Sequence, residues 1–245
     1  VEPFAAPAAS FAKQLLTRAS SMATASAVGI DRQVRAPKPP PRQVVRIKIL
    51  SMGEAGVGKS CLIKRYCEEK FVSKYISTIG VDFGVKSVMV DGLEVKVNFW
   101  DLAGPAEYFE VRNEFYRDVQ GVRPDLACPR PFQAILVYDV GSKPTFDKLE
   151  GWVKECNKYG GKEAVVVVVG NKTDSKRREV KTKEAQTWAT SRGYLYPPHS
   201  HARSFFLRFY ETSANTGENV MDMFNTLFVR AVRNVRAALP AVATR

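Results

Sequence analysis

The amino-acid sequence predicts an α/β fold in which helices flank a mostly parallel β-sheet. Three features support this prediction: short apolar runs typical of buried strands, apolar residues at helical spacing between those runs, and a glycine-rich turn after the first run. Two of the runs, at residues 134–140 and 164–170, are apolar enough for strands buried on both faces. Because strands alternate with helices along the chain, we expect a mostly parallel sheet.

The predicted elements follow one another along the chain. A first strand at 44–50 leads into the glycine-rich turn, and strands at 81–90 and 93–100 flank Asp91-Gly92, a dipeptide typical of a two-residue hairpin turn. Three groups of apolar residues recur at helical spacing and predict helices that pack on the sheet. These groups are Leu62, Ile63 and Tyr66; Phe146, Leu149, Val153 and Cys156; and Val220, Met223, Phe224, Leu227, Phe228, Ala231 and Val235.

The chain of 245 residues is long enough for one domain of ordinary size with tails. We expect this domain to occupy residues 44–238. Residues 1–43, rich in Ala, Ser and Pro, predict a disordered or processed arm, and residues 239–245 predict a short tail. The acid-poor start weakly resembles a transit peptide. Organelle targeting by residues 1–21 and a true start at Met22 therefore both stay open.

Two segments, at 122–133 and 197–208, interrupt the alternation of strands and helices. The first contains three prolines, and the second contains the only two histidines, His199 and His201. We expect both segments to be surface loops, with the strand after the first segment still formed. Two histidines with no further ligand nearby do not predict a metal site.

The net charge of +12 raises the question of nucleic-acid binding, and its distribution argues against it. Residues 1–43 and residues 229–245 each contribute +4, so only +4 remains for the rest of the chain. A basic nucleic-acid face inside the domain is therefore not expected, although the basic tails can contact acidic lipids.

Cysteine usage and hydropathy limit the compartment. The cysteines Cys61, Cys67, Cys128 and Cys156 form no CxxC pair, which predicts free thiols in a reducing compartment such as the cytoplasm. The longest apolar run, at 164–169, is far too short to cross a bilayer.

The glycine-rich turn, GEAGVGKS at 53–60, fits the pattern GxxxxGK[ST] between a strand and a helix. In such a turn the backbone N–H groups and the helix N-terminus surround phosphate groups. Lys59 would neutralise β- and γ-phosphate charge, and the Ser60 hydroxyl would bind Mg²⁺. The turn predicts a nucleotide site but does not choose between ATP and GTP. The residues expected around the phosphates are Gly53, Glu54, Ala55, Gly56, Val57, Gly58, Lys59, Ser60 and Cys61.

A second motif, DLAG at 101–104, follows the strand of the predicted hairpin. In a nucleotide-binding protein Asp101 predicts a carboxylate for Mg²⁺, and Gly104 predicts a backbone N–H for the terminal phosphate. The next residue is Pro105, where a side chain able to hold a water molecule is expected and a proline cannot do so.

The base is selected by two further motifs. Asn171, Lys172 and Asp174 form N-K-x-D at the end of a buried strand. A carboxylate there can accept both N–H groups of the Watson–Crick edge of guanine, and adenine presents no such pair of donors. The motif therefore predicts guanine binding and argues against an ATP-using enzyme. The sequence TSAN at 212–215 predicts a second base-contacting loop, with Ser213, Ala214 and Asn215 near the base.

The order of these motifs resembles the Ras-like small GTPases, which are P-loop NTPases with a G domain built on a mostly parallel six-stranded sheet flanked by helices. STIGVDFG at 77–84 and KVNFW at 96–100 resemble the Rab branch. The stretches at 51–75, 107–122 and 135–141 are similar to the RJL group, Rab-like GTPases of which some carry a DnaJ domain. The resemblance covers about residues 44–235 except for the two interrupting segments, and the sequence contains no His-Pro-Asp signature of a J-domain.

The resemblance implies roles for residues that the motifs alone leave unassigned. Phe71 should pack against the guanine ring, Tyr75 should lie near the nucleotide, and Thr78 should bind both Mg²⁺ and the γ-phosphate. The implied metal ligands are Ser60, Thr78 and Asp101. The implied nucleotide-sensitive effector surface consists of Ile79, Gly80, Val81, Asp82, Phe83, Trp100, Tyr108 and Phe109. For Phe83 and Trp100, a purely structural place in a strand that faces the core stays open.

Four features depart from the pattern usual in Ras-like small GTPases, and two of them, Pro105 and Ala55, also occur in the RJL group. Pro105 stands where a glutamine that orients the attacking water is usual, and Ala55 replaces a glycine of the phosphate loop. Asn215 stands where a lysine is common. The printed sequence has no C-terminal cysteine for prenylation, so no lipid anchor is evident. No catalytic residue is therefore assigned with certainty.

The segments at 122–133 and 197–208 also interrupt stretches that run on directly in the relatives. Two explanations stay open for them. They are either lineage-specific loops or errors in the gene model.

These features together predict a Rab-like GTP-binding switch or scaffold with slow GTP hydrolysis, in intracellular traffic or signalling. The alternative is an active GTPase whose catalytic water is positioned by a partner protein. The expected cofactors are GTP or GDP and Mg²⁺. We expect a monomer in the cytoplasm, and transient membrane contact stays open. The expected partners are effector proteins, which bind the switch regions, and an exchange factor.

Overall fold

A computed structural model describes residues 44–116, 133–160, 164–191 and 209–238 of the chain. The predicted arm, the predicted tail and the second interrupting segment lie outside these residues, as does the first apart from Gln133. The described strands are β1 Val44–Met52, β2 Val81–Val90, β3 Leu93–Leu102, β4 Gln133–Asp139, β5 Val165–Asn171 and β6 Phe209–Thr212. The described α-helices are α1 Lys59–Glu68, α2 Phe109–Tyr116, α3 Lys143–Asp147, α4 Leu149–Lys158, α5 Thr182–Ser191 and α6 Val220–Ala238.

The strands in the described part of the chain form one six-stranded sheet with the order β2-β3-β1-β4-β5-β6. Strand β2 is antiparallel to β3, and every other neighbouring pair is parallel. Strands β4 and β5 are buried almost throughout, because helices cover both faces of a parallel sheet. The mostly parallel six-stranded α/β fold predicted from the sequence is confirmed.

The predicted hairpin forms across Asp91-Gly92, but β3 runs two residues further than the predicted end at residue 100. The extension has a physical reason: β3 also pairs with β1, and this ladder continues to the pair formed by Ser51 and Asp101. The aspartate of the DLAG motif is thereby part of the strand. Strand β4 begins at Gln133, which the sequence had assigned to the end of the first interrupting loop.

One face of the sheet is covered by α1 and α6. Their buried side chains pack with those of β1 and β3 in a single hydrophobic cluster. Four aromatic rings lie at its centre, and the Tyr66 ring centroid is 4.7 Å from that of Phe224 and 5.4 Å from that of Phe228. The predicted closing helix is confirmed, since its apolar stripe from Val220 to Ala231 is buried in this cluster; the side chain of Val235 lies outside the description.

The other face is covered by residues of α2, α3, α4 and α5 in a second cluster. Here one predicted helix forms as two, because α3 ends at Asp147 and α4 begins at Leu149. At the junction the Gly151 N–H donates to the Lys148 carbonyl at 3.0 Å, an i to i+3 bond that tightens the turn. Trp152, absent from the predicted apolar group, is buried together with Leu149 and Cys156.

None of the helices described in the structure has both the length and the apolar character needed to span a membrane. Cys61 and Cys67 are free thiols, as predicted, Cys156 is buried, and Cys128 lies outside the described residues.

Candidate functional site

Five parallel strands, β1 and β3 to β6, end at the same edge of the sheet. Carboxyl ends of parallel strands are the usual place for ligands in α/β proteins. The phosphate loop follows β1, the DLAG motif closes β3, and the NKTD and TSAN motifs follow β5 and β6. Motifs that are far apart in the sequence therefore meet at one edge.

Lys59 is held inside the phosphate loop at the start of α1. Its Nζ donates to the carbonyl oxygens of Gly53 at 2.7 Å and Glu54 at 2.9 Å. Burial lowers the pKa of this lysine to about 8, while the nearby carboxylate of Asp101 acts in the opposite direction. A phosphate group in the loop would supply the negative charge that favours the ammonium form.

Three oxygen-bearing side chains predicted to bind metal converge beside this lysine. The Ser60 hydroxyl donates to Asp101 Oδ2, the Ser60 and Thr78 hydroxyl oxygens are 3.1 Å apart, and Thr78 donates to Asp101 Oδ2 at 3.3 Å. The sequence did not single out Ser51, whose hydroxyl donates to Asp101 Oδ1. Its only signal was its position at the end of β1, since the parallel ladder pairs Ser51 with Asp101.

This oxygen set suits Mg²⁺, a hard cation that is usually held by one or two carboxylates, hydroxyls, water and substrate phosphates. In the described ranges no three or more His, Cys, Asp or Glu side chains are grouped so as to hold a metal. A bound Mg²⁺ would therefore depend on Ser60, Thr78, Asp101 and oxygen atoms of the nucleotide.

The DLAG segment lies directly against the phosphate loop. A Cβ atom at Gly104 would overlap the backbone nitrogen of Ala55, so only glycine allows this approach. Pro105 follows with φ −59° and ψ 145°, half-buried, and precedes the short 3₁₀ helix Ala106–Tyr108. It offers neither a side-chain amide nor a backbone N–H at this position.

Asn171 joins three of the predicted binding segments. Its Nδ2 donates to the Val57 carbonyl at 2.9 Å, and its Oδ1 accepts from the Ala214 N–H at 3.2 Å and from Thr212 Oγ1 at 3.3 Å. This buried amide ties the phosphate loop to the TSAN loop. The neighbouring Lys172 forms an ion pair with Asp139, in which Nζ and Oδ2 are 2.7 Å apart.

Asp174, the predicted guanine reader, is exposed and carries two donors on its carboxylate. Ser213 Oγ donates to Oδ1 at 2.6 Å, and Asn215 Nδ2 donates to Oδ2 at 2.9 Å. These two hydrogen bonds, that from Ser213 first, hold the pKa of Asp174 below its ordinary value. Because a carboxylate has about four acceptor positions, room remains for both N–H groups of a guanine edge.

Arg65 on α1 is a positioning residue that the sequence did not reveal. Its Nε donates to the Ala214 carbonyl at 2.8 Å, and its Nη2 donates to the Asn215 carbonyl. The TSAN loop is thus fixed from α1 as well as from Asn171. Arg65 and Ala214 are 149 positions apart in the sequence, so no local pattern predicts this contact.

Glu54 was predicted only as a member of the phosphate loop, but its side chain points to α4. Its Oε1 accepts from Trp152 Nε1 at 3.1 Å, and its Oε2 accepts from Lys148 Nζ at 2.8 Å. Among the other predicted loop residues, Val57 and Ala214 are buried. Cys61 is half-buried and packs against the core cluster.

The predicted contact residues before β2 are exposed. Ile79 is 76% exposed, Tyr75 is 65% exposed and Phe71 is 39% exposed. These exposed apolar side chains are available for contact with a nucleotide or a partner protein.

The predicted effector surface needs one correction. Val81 is buried beside Leu102, because its side chain points into the cluster beneath the sheet, and it cannot contribute to an exposed surface. Phe83 is exposed and its ring centroid is 4.4 Å from that of Trp100, which is half-buried. The remaining predicted members lie at the surface or half-buried: Gly80, Asp82, Tyr108 and Phe109.

Comparison with known proteins identifies a family for this chain. The family model described as "Ras family" matches residues 48–234. DnaJ homolog subfamily C member 27 of Rattus norvegicus is 48% identical over 198 residues, which cover 78% of this chain and 63% of the relative. The Homo sapiens protein of the same name is 46% identical over 198 residues with the same coverage. The Danio rerio protein is 44% identical over 193 residues, covering 76% of this chain and 62% of the relative.

This chain spans less than two thirds of the length of those relatives. They are the Ras-superfamily GTPases known as RJL, so the resemblance stated from the sequence is confirmed. With a matching family model over more than half of its length, the chain belongs to the Ras family of small GTPases.

Proposed function

We propose that this protein is a GTP-dependent regulatory switch or scaffold that hydrolyses GTP slowly. The single observation that carries the proposal is Pro105, which directly follows the glycine that lies against the phosphate loop. The position where Ras-like GTPases usually place a water-orienting glutamine thus has no side-chain amide and no N–H.

Guanine-nucleotide binding is supported by the same edge of the sheet. Lys59 would neutralise phosphate charge, Asp174 would accept the guanine N–H groups, and the Gly104 N–H would meet the γ-phosphate. Ser60, Thr78 and Asp101 would hold Mg²⁺. When bound, the metal ion would neutralise negative charge on the phosphate groups.

Slow hydrolysis follows from what phosphoryl transfer requires. The reaction needs an oriented water molecule and stabilisation of charge on the transferring group, because the transition state offers the protein little covalent chemistry to perform. Pro105 cannot orient water, and Ala55 adds a methyl group next to the same place. We therefore expect an intrinsic rate at or below about 10⁻⁴ s⁻¹, the scale of an unaided Ras-type site.

Single-turnover hydrolysis of GTP loaded on the purified protein with Mg²⁺ tests this proposal. The expected result is a rate at or below about 10⁻⁴ s⁻¹; a rate near 10⁻² s⁻¹, roughly that of a GTPase with its arginine in cis, would contradict it. Adding cell extract separates the alternative, because an increase of about 10³-fold or more would indicate a partner that positions the water.

The nucleotide that co-purifies with the protein provides a second test. A slow GTPase in a cell where GTP exceeds GDP should retain mostly GTP. A predominance of GDP would mean that another group performs the work that Pro105 cannot.

The cellular role belongs to the same proposal. Exposed apolar residues before and along β2, among them Ile76, Ile79 and Phe83, support effector binding. Rab-like relatives support a role in intracellular traffic or signalling, and an exchange factor would be expected for a switch. The free thiols of Cys61 and Cys67 are compatible with a cytoplasmic location.

A further inference from the structure

Arg112 of α2 is a buried charged residue, 5% exposed, that lies outside the four nucleotide-binding motifs. Its Nη1 donates to three consecutive carbonyl oxygens, those of Ala103 at 3.4 Å, Gly104 at 3.3 Å and Pro105 at 3.0 Å. A guanidinium buried against three backbone carbonyls is an expensive arrangement, since a buried charge must be paired and hydrogen-bonded.

Glu155 of α4 provides that pairing. Its Oε1 accepts from Arg112 Nε at 2.6 Å and its Oε2 accepts from Nη2 at 2.8 Å, a bidentate pair that fixes the plane of the guanidinium. Burial acts to lower the pKa of Arg112, and the hydrogen bond and charge of Glu155 overcome it and raise that pKa. The guanidinium also lies 4.3 Å from the ring centroid of Trp152. Its position is therefore set from α4.

This geometry controls the direction of one backbone N–H. Because the peptide unit is planar and trans, the Ala103 carbonyl and the Gly104 N–H point in opposite directions. A donor fixed on the carbonyl side thus holds the N–H toward the other side. Gly104 itself lies against the phosphate loop, since a Cβ there would overlap the Ala55 nitrogen, and the proposed function places the γ-phosphate at the Gly104 N–H.

Pro105 makes this support from Arg112 more important. A proline has no N–H with which to anchor its own segment. The Pro105 carbonyl accepts from the Tyr108 N–H at 3.2 Å within the 3₁₀ turn and from Arg112 at 3.0 Å. Arg112 is thus the tertiary donor for the whole stretch 103–105.

The same support reaches the phosphate loop by a second route. Trp152, which lies against the Arg112 guanidinium, donates its Nε1–H to Glu54 Oε1 at 3.1 Å. Glu54 and Gly104 lie on the two sides of the expected γ-phosphate position. Contacts from one helix, α4, therefore fix the positions of both residues.

We propose that Arg112 is a positioning residue that holds the Gly104 N–H toward the γ-phosphate position, so that α4 sets how well the protein distinguishes GTP from GDP. This inference rests on the proposed guanine-nucleotide binding. Arg112 does not touch the nucleotide and acts through the backbone of 103–105. Its loss should weaken only the contact that GTP has and GDP lacks.

The test compares the dissociation rates of fluorescent GDP and a fluorescent non-hydrolysable GTP analogue from the full chain with Mg²⁺. For Arg112→Gln we expect the GTP analogue to leave about tenfold faster, as for the loss of one well-placed hydrogen bond to phosphate, while GDP release changes less than about twofold. Arg112→Lys keeps the charge but cannot form both the carboxylate pair and the carbonyl bonds, so it should show a smaller change of the same kind.

The control is Val232→Ala, which removes buried volume in the cluster on the opposite face of the sheet. It should lower thermal stability without changing the ratio of the two rates. If the folded Arg112→Lys protein shows an unchanged ratio of the two dissociation rates, whether or not both rates rise, the inference is overturned. If the unaltered chain binds neither nucleotide, the proposed function itself fails, which is a distinct result.

Discussion

At the scale of single residues, two carboxylates have the roles of metal ligand and base ligand in the proposed function. Asp101 is buried and accepts hydrogen bonds from the hydroxyls of Ser51, Ser60 and Thr78. Asp174 is exposed and accepts from Ser213 and Asn215. In the proposed function, the carboxylate of Asp101, surrounded by hydroxyls, would bind a cation. The carboxylate of Asp174, which keeps open acceptor positions, would accept hydrogen bonds from N–H donors.

Asp174→Asn should change which base the protein prefers. An asparagine offers one carbonyl and one amide, so one N–H of guanine would meet a donor, whereas xanthine presents a carbonyl at C2. We expect GTP affinity to fall by about 100-fold, as for disrupted hydrogen bonds to a charged group, with xanthosine triphosphate gaining relative to GTP. Competition binding measures this preference.

Asn215→Ala is the matched control for that experiment. It removes one donor from Asp174 but leaves the carboxylate in place. GTP should stay preferred over the xanthine nucleotide in this variant. An Asp174→Asn protein that still strongly prefers GTP would show that another group reads the base.

Pro105→Gln alone should not restore fast hydrolysis. The Ala55 backbone lies against Gly104, and we expect the Ala55 methyl group to crowd the space that a glutamine and its water would need. We expect the single variant to stay within about tenfold of the original rate, equivalent to less than about 1.4 kcal/mol in the barrier. Combining Pro105→Gln with Ala55→Gly should give a larger gain in single-turnover assays, and Ala55→Gly alone is the control.

Local motifs predicted the residues whose roles are encoded by spacing along the chain, among them Lys59, Ser60 and Asp101. They did not predict Arg65 or Arg112, whose partners lie on other elements. Arg65 reaches a carbonyl 149 residues away, and Arg112 pairs with a glutamate 43 residues away. Tertiary contacts of this kind leave no periodic signal in a single sequence.

At the scale of elements, the phosphate loop is held in place by side chains of neighbouring elements. Asn171 of β5 bonds the Val57 carbonyl, and Trp152 and Lys148 bond the Glu54 side chain. The backbone of the loop has positive φ at Gly56 and Gly58, with values of 76° and 98°. The loop thus adopts a left-handed backbone that glycine permits, with support from side chains of neighbouring elements, as is expected where a backbone must approach a ligand closely.

Gly58→Ala and Gly56→Ala form a matched pair that separates backbone strain from lost support. Both substitutions place a Cβ in a left-handed conformation at a cost of about 1–2 kcal/mol. Only at Gly58 would the new atom overlap a side chain, the buried amide of Asn171; at Gly56 the space is open. Gly58→Ala should therefore reduce the free energy of unfolding clearly more than Gly56→Ala does.

Urea unfolding without nucleotide or metal ion makes this comparison, since a bound ligand would add its own contribution to stability. Equal losses in the two variants would mean that Asn171 does not support the loop. A loss confined to Gly56→Ala would contradict the assigned geometry.

Elements were predicted well where apolar patterning and turn chemistry agree. The hairpin at Asp91-Gly92 and the long closing helix α6 form as expected. The single helix predicted around residues 146–156 forms as two. The helical spacing of apolar residues continues across the tight turn at Lys148, although the regular helical hydrogen bonding is interrupted there. Apolar periodicity alone cannot detect such a break.

At the scale of the whole domain, the sheet order brings the binding segments together. The strand order β2-β3-β1-β4-β5-β6 places the ends of β3, β1, β4, β5 and β6 in a row, although β1 and β6 are separated by most of the domain sequence. Each motif lies at the carboxyl end of a strand, so the parallel arrangement of these strands brings the motifs to one edge. The site exists only when the sheet is assembled.

Nucleotide binding should therefore stabilise the entire domain against unfolding. A ligand that binds only the folded state adds about 2.7 kcal/mol at 100 times its Kd. For a domain of this size each kcal/mol raises the Tm by about 2–4 °C. We expect GDP with Mg²⁺ to raise the Tm of nucleotide-free protein by about 5–10 °C at that concentration, because the ligand would join segments from β1, β3, β5 and β6.

Differential scanning fluorimetry measures this shift and also tests its specificity. ATP with Mg²⁺ at the same concentration should leave the Tm nearly unchanged, since Asp174 selects the guanine edge. Replacing Mg²⁺ by EDTA should reduce the shift with GDP, because the hydroxyls of Ser60 and Thr78 and the carboxylate of Asp101 then have no cation to bridge them to phosphate. An equal shift with ATP would contradict guanine selection, and a GDP shift that survives EDTA in full would contradict the metal role of these three residues.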